Sequence, residues 1–338
     1  MKKNHLKDTD FLYLSTRLRA AESGLITKDK LTRVIDAADF AEAYAYVCEL
    51  YGASPDTVSG YEALLDAELA GAYAFAHELI DGTIDVEHKP FELLAPFQYV
   101  YDCQNLKAVI KCRALGKQAK ALISPNGTVS PEQVSAASLS GDYAAFPAAM
   151  AQAAPEAAEQ LAATGDPQLV DLILDKAAFR DMSRTAEQSG FDSLARLVRT
   201  KIDSANISAC LRCIRQKKNK MYFEKLFLEG GTLDKDFFLT NYDETPAKLL
   251  AALAFTAYSA LAGAGMTELS ASDAERLCEE LYTAKAYEAA SLPFGAELVI
   301  LYIVRKEYEI KNVRIVLAGK SCGLSGEKIR ERLRGLAS

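Results

Sequence analysis

The stretch Tyr101–Gly116, with the sequence YDCQNLKAVIKCRALG, is the first of three related segments that organise this chain. The second segment, DSANISACLRCIR, covers Asp203–Arg215, and the third, EIKNVRIVLAGK, covers Glu309–Lys320. In each segment an acidic residue stands three positions before an Asn, a pair that we name the acid–Asn motif. The three pairs are Asp102 and Asn105, Asp203 and Asn206, and Glu309 and Asn312. Their spacings of 101 and 106 residues exceed any solenoid period and indicate a repeat of small domains.

Apolar residues follow each motif Asn at positions +1, +4 and +5, which places them on one face of an α-helix. A second marker has the same period: a Gly precedes a short segment that ends in a helix N-cap residue. These segments are Gly24–Thr27, Gly127–Ser130 and Gly231–Asp234. Because no stretch shows the alternation typical of strands, we predict an all-α fold.

The repeat predicts three related helical domains, which cover residues 1–120, 121–225 and 226–338. The first domain includes an N-terminal helix that belongs to the closing unit, and the third ends in a short C-terminal helix. A chain of 338 residues is long enough for two or three cores, so this division agrees with its length.

Composition narrows the possible functions. The net charge of −7 argues against a nucleic-acid-binding protein that relies on bulk positive charge. Three His residues leave little material for metal or acid–base chemistry. Seven scattered Cys residues behind a polar N-terminus are typical of reduced thiols in a cytosolic protein. The most apolar stretch, Leu249–Gly265, is Ala-rich and shorter than the ~20 residues of a membrane span, so it predicts one buried helix.

Two possible sites of chemistry lack residues that the chemistry requires. Gly319, Lys320 and Ser321 resemble the end of a phosphate-binding loop, but Arg314 stands where that loop requires Gly. The pair Cys210 and Cys213 has the spacing of a zinc or redox site, but a second pair of ligands is missing. We therefore predict no catalytic residue, no cofactor and no metal.

The motif residues and the nearby bases have two interpretations each. The Asn side chains fit a buried amide that fixes the register of a neighbouring element, or a polar socket for a partner. We favour the structural interpretation for the Asn and its acid. The bases near the ends of the motif helices form either a solvated face or a positive rim that meets acidic partner loops. The predicted partner-binding residues are Arg17, Arg19, Lys107, Lys111, Arg212, Arg215, Arg314 and Lys320.

Three stretches carry a resemblance to a known family: YLSTRLRA at Tyr13–Ala20, YDCQNLKAVIK at Tyr101–Lys111, and NVRIVLAGKSCGLSGEKIRERL at Asn312–Leu333. In these stretches the chain resembles the C subunit of the archaeal and bacterial V/A-type ATPases, the counterpart of the d subunit in eukaryotic V-ATPases. The resemblance spans nearly the whole chain. It departs at Ser15, where many members have Asn, and at Ser208, where the middle repeat lacks a base.

The resemblance implies three helical domains around a pseudo-threefold axis, shaped like a funnel. It implies a non-catalytic rotor subunit whose partners are the central-stalk subunits and the membrane proteolipid ring, with no nucleic acid and no direct membrane span. Such a subunit transmits torque for ATP-driven H⁺ or Na⁺ transport, or for ATP synthesis. It lies in the cytoplasm, peripheral to the cell membrane. The competing interpretation is a stand-alone helical scaffold or regulatory protein without ATPase partners.

Overall fold

The computed structural model describes residues 8–55, 60–83, 92–262 and 271–335. These residues form fifteen α-helices with short 3-10 turns and no strand, which confirms the all-α prediction. The helices are α1 (Leu12–Glu22), α2 (Lys28–Asp36), α3 (Phe40–Leu50), α4 (Tyr61–Thr83), α5 (Ala95–Ala114), α6 (Pro131–Ser140), α7 (Ala148–Thr164), α8 (Pro167–Gln188), α9 (Asp192–Arg215), α10 (Lys220–Leu226), α11 (Lys235–Asn241), α12 (Ala247–Leu253), α13 (Ala271–Tyr287), α14 (Glu297–Ser321) and α15 (Gly326–Arg330).

The chain divides into two compact units. Unit 1 combines Met1–Pro90 with Thr283–Ser338, and unit 2 covers Phe91–Tyr282. Within unit 1, α14 packs against α1, α2, α3, α4 and α15. Within unit 2, α5 packs against α6, α7 and α8, and α8 packs against α9. The division into three domains, their pseudo-threefold arrangement and the funnel shape stay predictions.

The three acid–Asn motifs lie on α5, α9 and α14, and each of these helices contributes residues to the apolar core. The apolar residues at +1, +4 and +5 from each motif Asn are all at most 3% exposed. In α14 the seven consecutive residues Leu298–Val304 are also buried. A helix that is apolar on every side is stable only when neighbours surround it, which the contacts of α14 with five other helices provide.

The motif helices share one type of C-terminus. The residue eleven positions after each motif Asn adopts a left-handed conformation: Gly116 at φ 66°, Lys217 at φ 52° and Gly323 at φ 69°. The next backbone N–H then donates to a carbonyl five residues earlier, 2.9 Å away in all three helices. The acceptors of these bonds belong to Cys112, Cys213 and Gly319. This arrangement is the Schellman motif, in which a left-handed residue ends the helix and satisfies its last carbonyls.

The prediction of one buried helix over Leu249–Gly265 is wrong. α12 ends at Leu253, a 3-10 turn covers Ser259–Leu261, and the Phe255 side chain between them is 94% exposed. The backbone N–H and the hydroxyl of Thr256 both donate to the Leu253 carbonyl, which closes the helix at that point. Residues 263–265 lie outside the described residues. None of the described helices combines the length and the apolarity that a membrane crossing requires.

Candidate functional site

The first motif acid binds the segment that leads into α6. The Asp102 carboxylate is completely buried and accepts hydrogen bonds from the backbone N–H groups of Thr128 and Val129, at 3.0 and 3.1 Å. It also accepts one from the Thr128 hydroxyl at 2.6 Å. Burial raises the pKa of Asp102, and the hydrogen bonds from Thr128 and Val129 act against that rise.

The second motif acid repeats this arrangement at the segment that leads into α11. Asp203 is completely buried and accepts from the N–H groups of Thr232 and Leu233 at 2.9 and 3.1 Å, and from the Thr232 hydroxyl. It gains one further partner, because the Tyr258 hydroxyl donates to it at 2.8 Å. Burial and the nearby Asp203 charge raise the pKa of Tyr258, so the hydroxyl keeps its proton for this bond.

The third motif acid binds the segment that leads into α2, near the start of the chain. Glu309 accepts from the Ile26 N–H at 2.6 Å, from the Tyr51 hydroxyl at 2.9 Å and from the Lys306 ammonium at 2.8 Å. Ile26 stands two positions after Gly24, as Val129 and Leu233 stand two positions after their own glycines. The two markers found in the sequence are therefore in contact with each other in all three repeats.

Each motif Asn forms a pair of hydrogen bonds with one backbone residue. Asn105 binds Ser124, Asn206 binds Leu228, and Asn312 binds Arg334. In every pair the side-chain amide donates to the backbone carbonyl at 2.7 to 2.9 Å, and the backbone N–H donates to the side-chain oxygen at 2.8 or 2.9 Å. The amide thus imitates a strand partner and holds the segment that returns after the motif helix. All three Asn side chains are at most 1% exposed, so these bonds occupy the amide that a partner would need.

Several predicted partner-binding bases form ion pairs within the chain. Lys107 binds Asp175 at 2.6 Å, Lys111 binds Asp171 at 2.5 Å, and all four lie on α5 and α8. Other repeats carry equivalent pairs, since Arg314 binds Glu62 and Asp66 at 2.8 and 3.3 Å, and Arg212 binds Glu275. Asp171 and Asp175 are four positions apart, and so are Glu62 and Asp66, which is a third marker shared by two of the repeats.

The remaining predicted bases differ in their surroundings. Arg19 donates to the carbonyls of Ala290 and Leu292, and Lys320 donates to the carbonyl of Ala37. Arg17 is exposed and lies against the Tyr13 and Phe75 rings at 5.9 Å, and Arg215 has no ion pair within the described part of the chain. Partner binding by any of the eight bases stays a prediction.

Sequence reasoning missed two exposed groups. The outer face of α1 exposes Leu12 and Tyr13 beside Arg17, with exposed fractions of 56% and 58%. A run of lysines after α9 begins at Lys217 and is also exposed. The lysine run was visible in the sequence as QKKNK directly after the second motif helix. The exposure of Leu12 and Tyr13 had no sequence signal, because apolar residues in a helix are more often buried.

Burial affects the acidity of two of the thiols. Burial raises the pKa of Cys103 and of Cys210 to about 12, so both remain protonated near neutral pH. Cys210 and Cys213 belong to the apolar cluster formed with Phe223, Phe238 and Leu253. Within the described residues, no group of three or more His, Cys, Asp or Glu side chains is arranged to hold a metal ion.

The motif acids lie close to two of the marker glycines. A Cβ on Gly231 would overlap Oδ1 of Asp203, and a Cβ on Gly127 would overlap Oδ1 of Asp102. We expect Gly231→Ala to lower the free energy of unfolding by about 3 kcal/mol, because a buried carboxylate has to move. Gly24→Ala is the matched control, since its Cβ would meet only the Ala21 carbonyl oxygen at 3.3 Å. Urea unfolding of both variants checks this, and equal losses of stability would contradict it.

The chain is similar to known proteins over nearly its whole length. A family model described as "ATP synthase (C/AC39) subunit" matches residues 14–332. The chain is 23% identical to the C subunit of the V-type sodium ATPase of Enterococcus hirae, over 95% of this chain and 97% of that protein. It is 23% identical to the C subunit of the V-type ATP synthase of Thermus thermophilus, over 96% and 98%. It is also 23% identical to the C subunit of the A-type ATP synthase of Methanocaldococcus jannaschii, over 96% and 86%. Since the family match covers the three motif helices and nearly the full length, the chain belongs to the ATP synthase (C/AC39) subunit family.

Proposed function

We propose that this chain is the non-catalytic rotor subunit of a V/A-type ATPase, which joins the central stalk to the membrane proteolipid ring. In this role it transmits torque for H⁺ or Na⁺ transport or for ATP synthesis. It lies at the cytoplasmic side, peripheral to the membrane. The observation that carries the proposal is the family match over residues 14–332, together with relatives named as C subunits that align with 95% or more of the chain.

The internal bonding suits a part that must transmit force. A torque-transmitting subunit needs segments that do not slide when load is applied, and buried polar bonds with fixed partners resist sliding. In this chain each motif helix anchors two segments, one through its acid and one through its Asn. The motif carboxylates are bound by intrachain donors, which is an arrangement for structure rather than for acid–base chemistry.

The exposed face of α1 is the best place to test partner binding. Leu12, Tyr13 and Arg17 lie together there, and aromatic and Arg side chains dominate the binding energy of protein interfaces. Lys107 is less suitable, because its side chain is only 18% exposed and neutralises Asp175. A reversed charge at Lys107 would disturb the fold and would not report on a partner alone.

We expect Arg17→Ala to reduce the copurification of stalk and proteolipid subunits about tenfold, the effect of removing an interface residue worth ~1.4 kcal/mol. The test is affinity purification of the tagged full chain coexpressed with the other ATPase subunits, with circular dichroism to check folding. Arg196→Ala on α9 is the matched control, because Arg196 is also exposed on a helix but lies outside the predicted partner-binding set. Copurification that is unchanged by Arg17→Ala would contradict this use of α1. Failure of the wild-type chain to bring down any stalk or proteolipid subunit would favour the stand-alone scaffold instead.

A further inference from the structure

Lys217 is in a conformation that its side chain disfavours. Its φ is 52°, and within the described residues it is the one non-glycine residue with positive φ. The equivalent position after the other two motif helices is occupied by Gly116 and Gly323, as a Schellman motif favours. A Cβ in the left-handed region crowds the following carbonyl, so Lys217 reduces the stability that Gly would give. A disfavoured residue at one site of a repeat points to a role for its side chain.

The surroundings of Lys217 show what that role requires. The residues from Gln216 to Tyr222 are all exposed, and the segment Lys217–Lys225, which we name the lysine turn, contains four Lys and one Glu. Lys217, Lys220 and Lys225 form no ion pair within the described part of the chain. Met221 between them is 69% exposed. The lysine turn is thus a local positive patch with apolar side chains, on a chain whose net charge is −7.

The lysine turn is held firmly at its base. Phe223 is completely buried and packs against the Phe227 and Phe238 rings, with centroid distances of 6.2 and 5.6 Å. The Lys218 ammonium lies 5.2 Å from the Tyr222 ring centroid, which keeps the aromatic side chain beside the positive charges. The buried Phe223 therefore anchors α10, on which Lys220, Met221 and Tyr222 are exposed directly after Lys217 and Lys218.

The segment after α5 has the same chemistry. Leu115 and Leu122 are 70% and 63% exposed, Lys117 and Lys120 are exposed, and no acidic residue occurs from Arg113 to Pro131. Lys107 pairs with Asp175, whereas Lys111, which comes later in α5, pairs with Asp171, which comes earlier in α8. The two helices are therefore antiparallel. α9 follows α8 after three residues and packs back against it, so it is antiparallel to α8 as well. α5 and α9 therefore run parallel, and both segments lie toward the end of unit 2 at which α8 begins.

We propose that the lysine turn binds an anionic membrane surface through phosphate-bearing lipid headgroups, with Met221 and Tyr222 entering the interface. Lysines interleaved with exposed apolar and aromatic residues are typical of this kind of contact. The two segments share charge and apolarity but neither residue order nor spacing. A membrane surface has no fixed pattern of binding positions, so it can bind both the lysine turn and the segment after α5. An acidic protein loop would instead require lysines at corresponding positions in the two segments. This membrane contact goes beyond the proposed role as a rotor subunit. Because vesicle binding needs no ATPase partner, its test can fail while the rotor role stands, and the reverse also holds.

The test is flotation of the purified full chain with vesicles of phosphatidylcholine alone or mixed with phosphatidylglycerol. We expect binding to the mixed vesicles only, and loss of that binding in high salt. Lys217→Gly is expected to weaken vesicle binding about fivefold, the share of one lysine near an anionic surface, and to raise the midpoint of thermal unfolding. Lys220→Gln/Lys225→Gln is expected to weaken it about 25-fold. Lys28→Gln/Lys248→Gln removes the same charge elsewhere and is expected to change binding little.

For Lys217→Gly we expect weaker vesicle binding together with higher thermal stability. If Lys217 had only a structural role, its replacement would change stability and leave vesicle binding unchanged. Equal binding to neutral and anionic vesicles overturns the proposal. So does an equal effect of the Lys28/Lys248 control. Binding to soluble polyglutamate without binding to anionic vesicles would assign the patch to an acidic protein and overturn it as well.

Discussion

Replacing Asp203 with Ala is expected to lower the free energy of unfolding by about 4 kcal/mol. The carboxylate is completely buried and accepts from two backbone N–H groups and from the hydroxyls of Thr232 and Tyr258. Ala leaves the buried N–H of Leu233 without an acceptor, which costs about 1–3 kcal/mol, and it also removes the bonds that Thr232 and Tyr258 donate. Chemical denaturation followed by circular dichroism measures the loss.

Two further variants identify the cause of that loss. Asp102→Ala removes the same backbone bonds but no tyrosine bond, so its effect is expected to be smaller by about 1 kcal/mol. Tyr258→Phe alone is expected to cost about 1 kcal/mol, and adding it to Asp203→Ala is expected to cost little more, because the bond is already absent. Full additivity of the two substitutions would show that the Tyr258 bond contributes nothing to the effect of Asp203.

The sequence contained enough to predict the helical class and the repeat, because both rest on periodic patterns. The buried apolar positions after Asn105, Asn206 and Asn312 follow from helical spacing alone. The glycine marker could also be found from its period. The role of this glycine could not be predicted, because at Gly127 and Gly231 a carboxylate that is distant in the sequence leaves no room for a Cβ. Contacts between remote segments depend on tertiary packing, on which local spacing carries no information.

The partners of the basic residues illustrate the same limit. In the sequence, Lys107 and Arg314 fit a positive rim that is free to bind a partner. In the structure, acids on α8 and α4 pair with them. The turn at Phe255 was also out of reach, because a run of Ala and Leu has high helix propensity. That preference is overridden where Thr256 closes α12, and where Tyr258 binds Asp203.

The Asn and the acid of one motif helix bind different segments of the chain outside that helix. In α9, Asn206 binds Leu228 before the marker glycine, and Asp203 binds Thr232 and Leu233 after it. The chain between these residues is therefore held on both sides. A single substitution releases one side only, so the two motif residues are expected to make separable contributions to stability.

Replacing Asn206 with Ala is expected to lower the free energy of unfolding by about 3 kcal/mol, because both the N–H and the carbonyl of Leu228 lose their partner. Both bonds of Asn206 are buried, whereas those of Asn105 and Asn312 are partly buried, and water replaces a lost bond more readily at a partly buried site. Asn105→Ala and Asn312→Ala are therefore the matched controls, each with an expected loss of about 1–2 kcal/mol. Hydrogen exchange is expected to rise at the Leu228 amide in Asn206→Ala and to stay near the wild-type rate at the Leu233 amide, which Asp203 still holds. An equal increase in exchange rate over wild type at both amides would contradict this. It would show that the two motif residues act as one unit and that the segment is released as a whole.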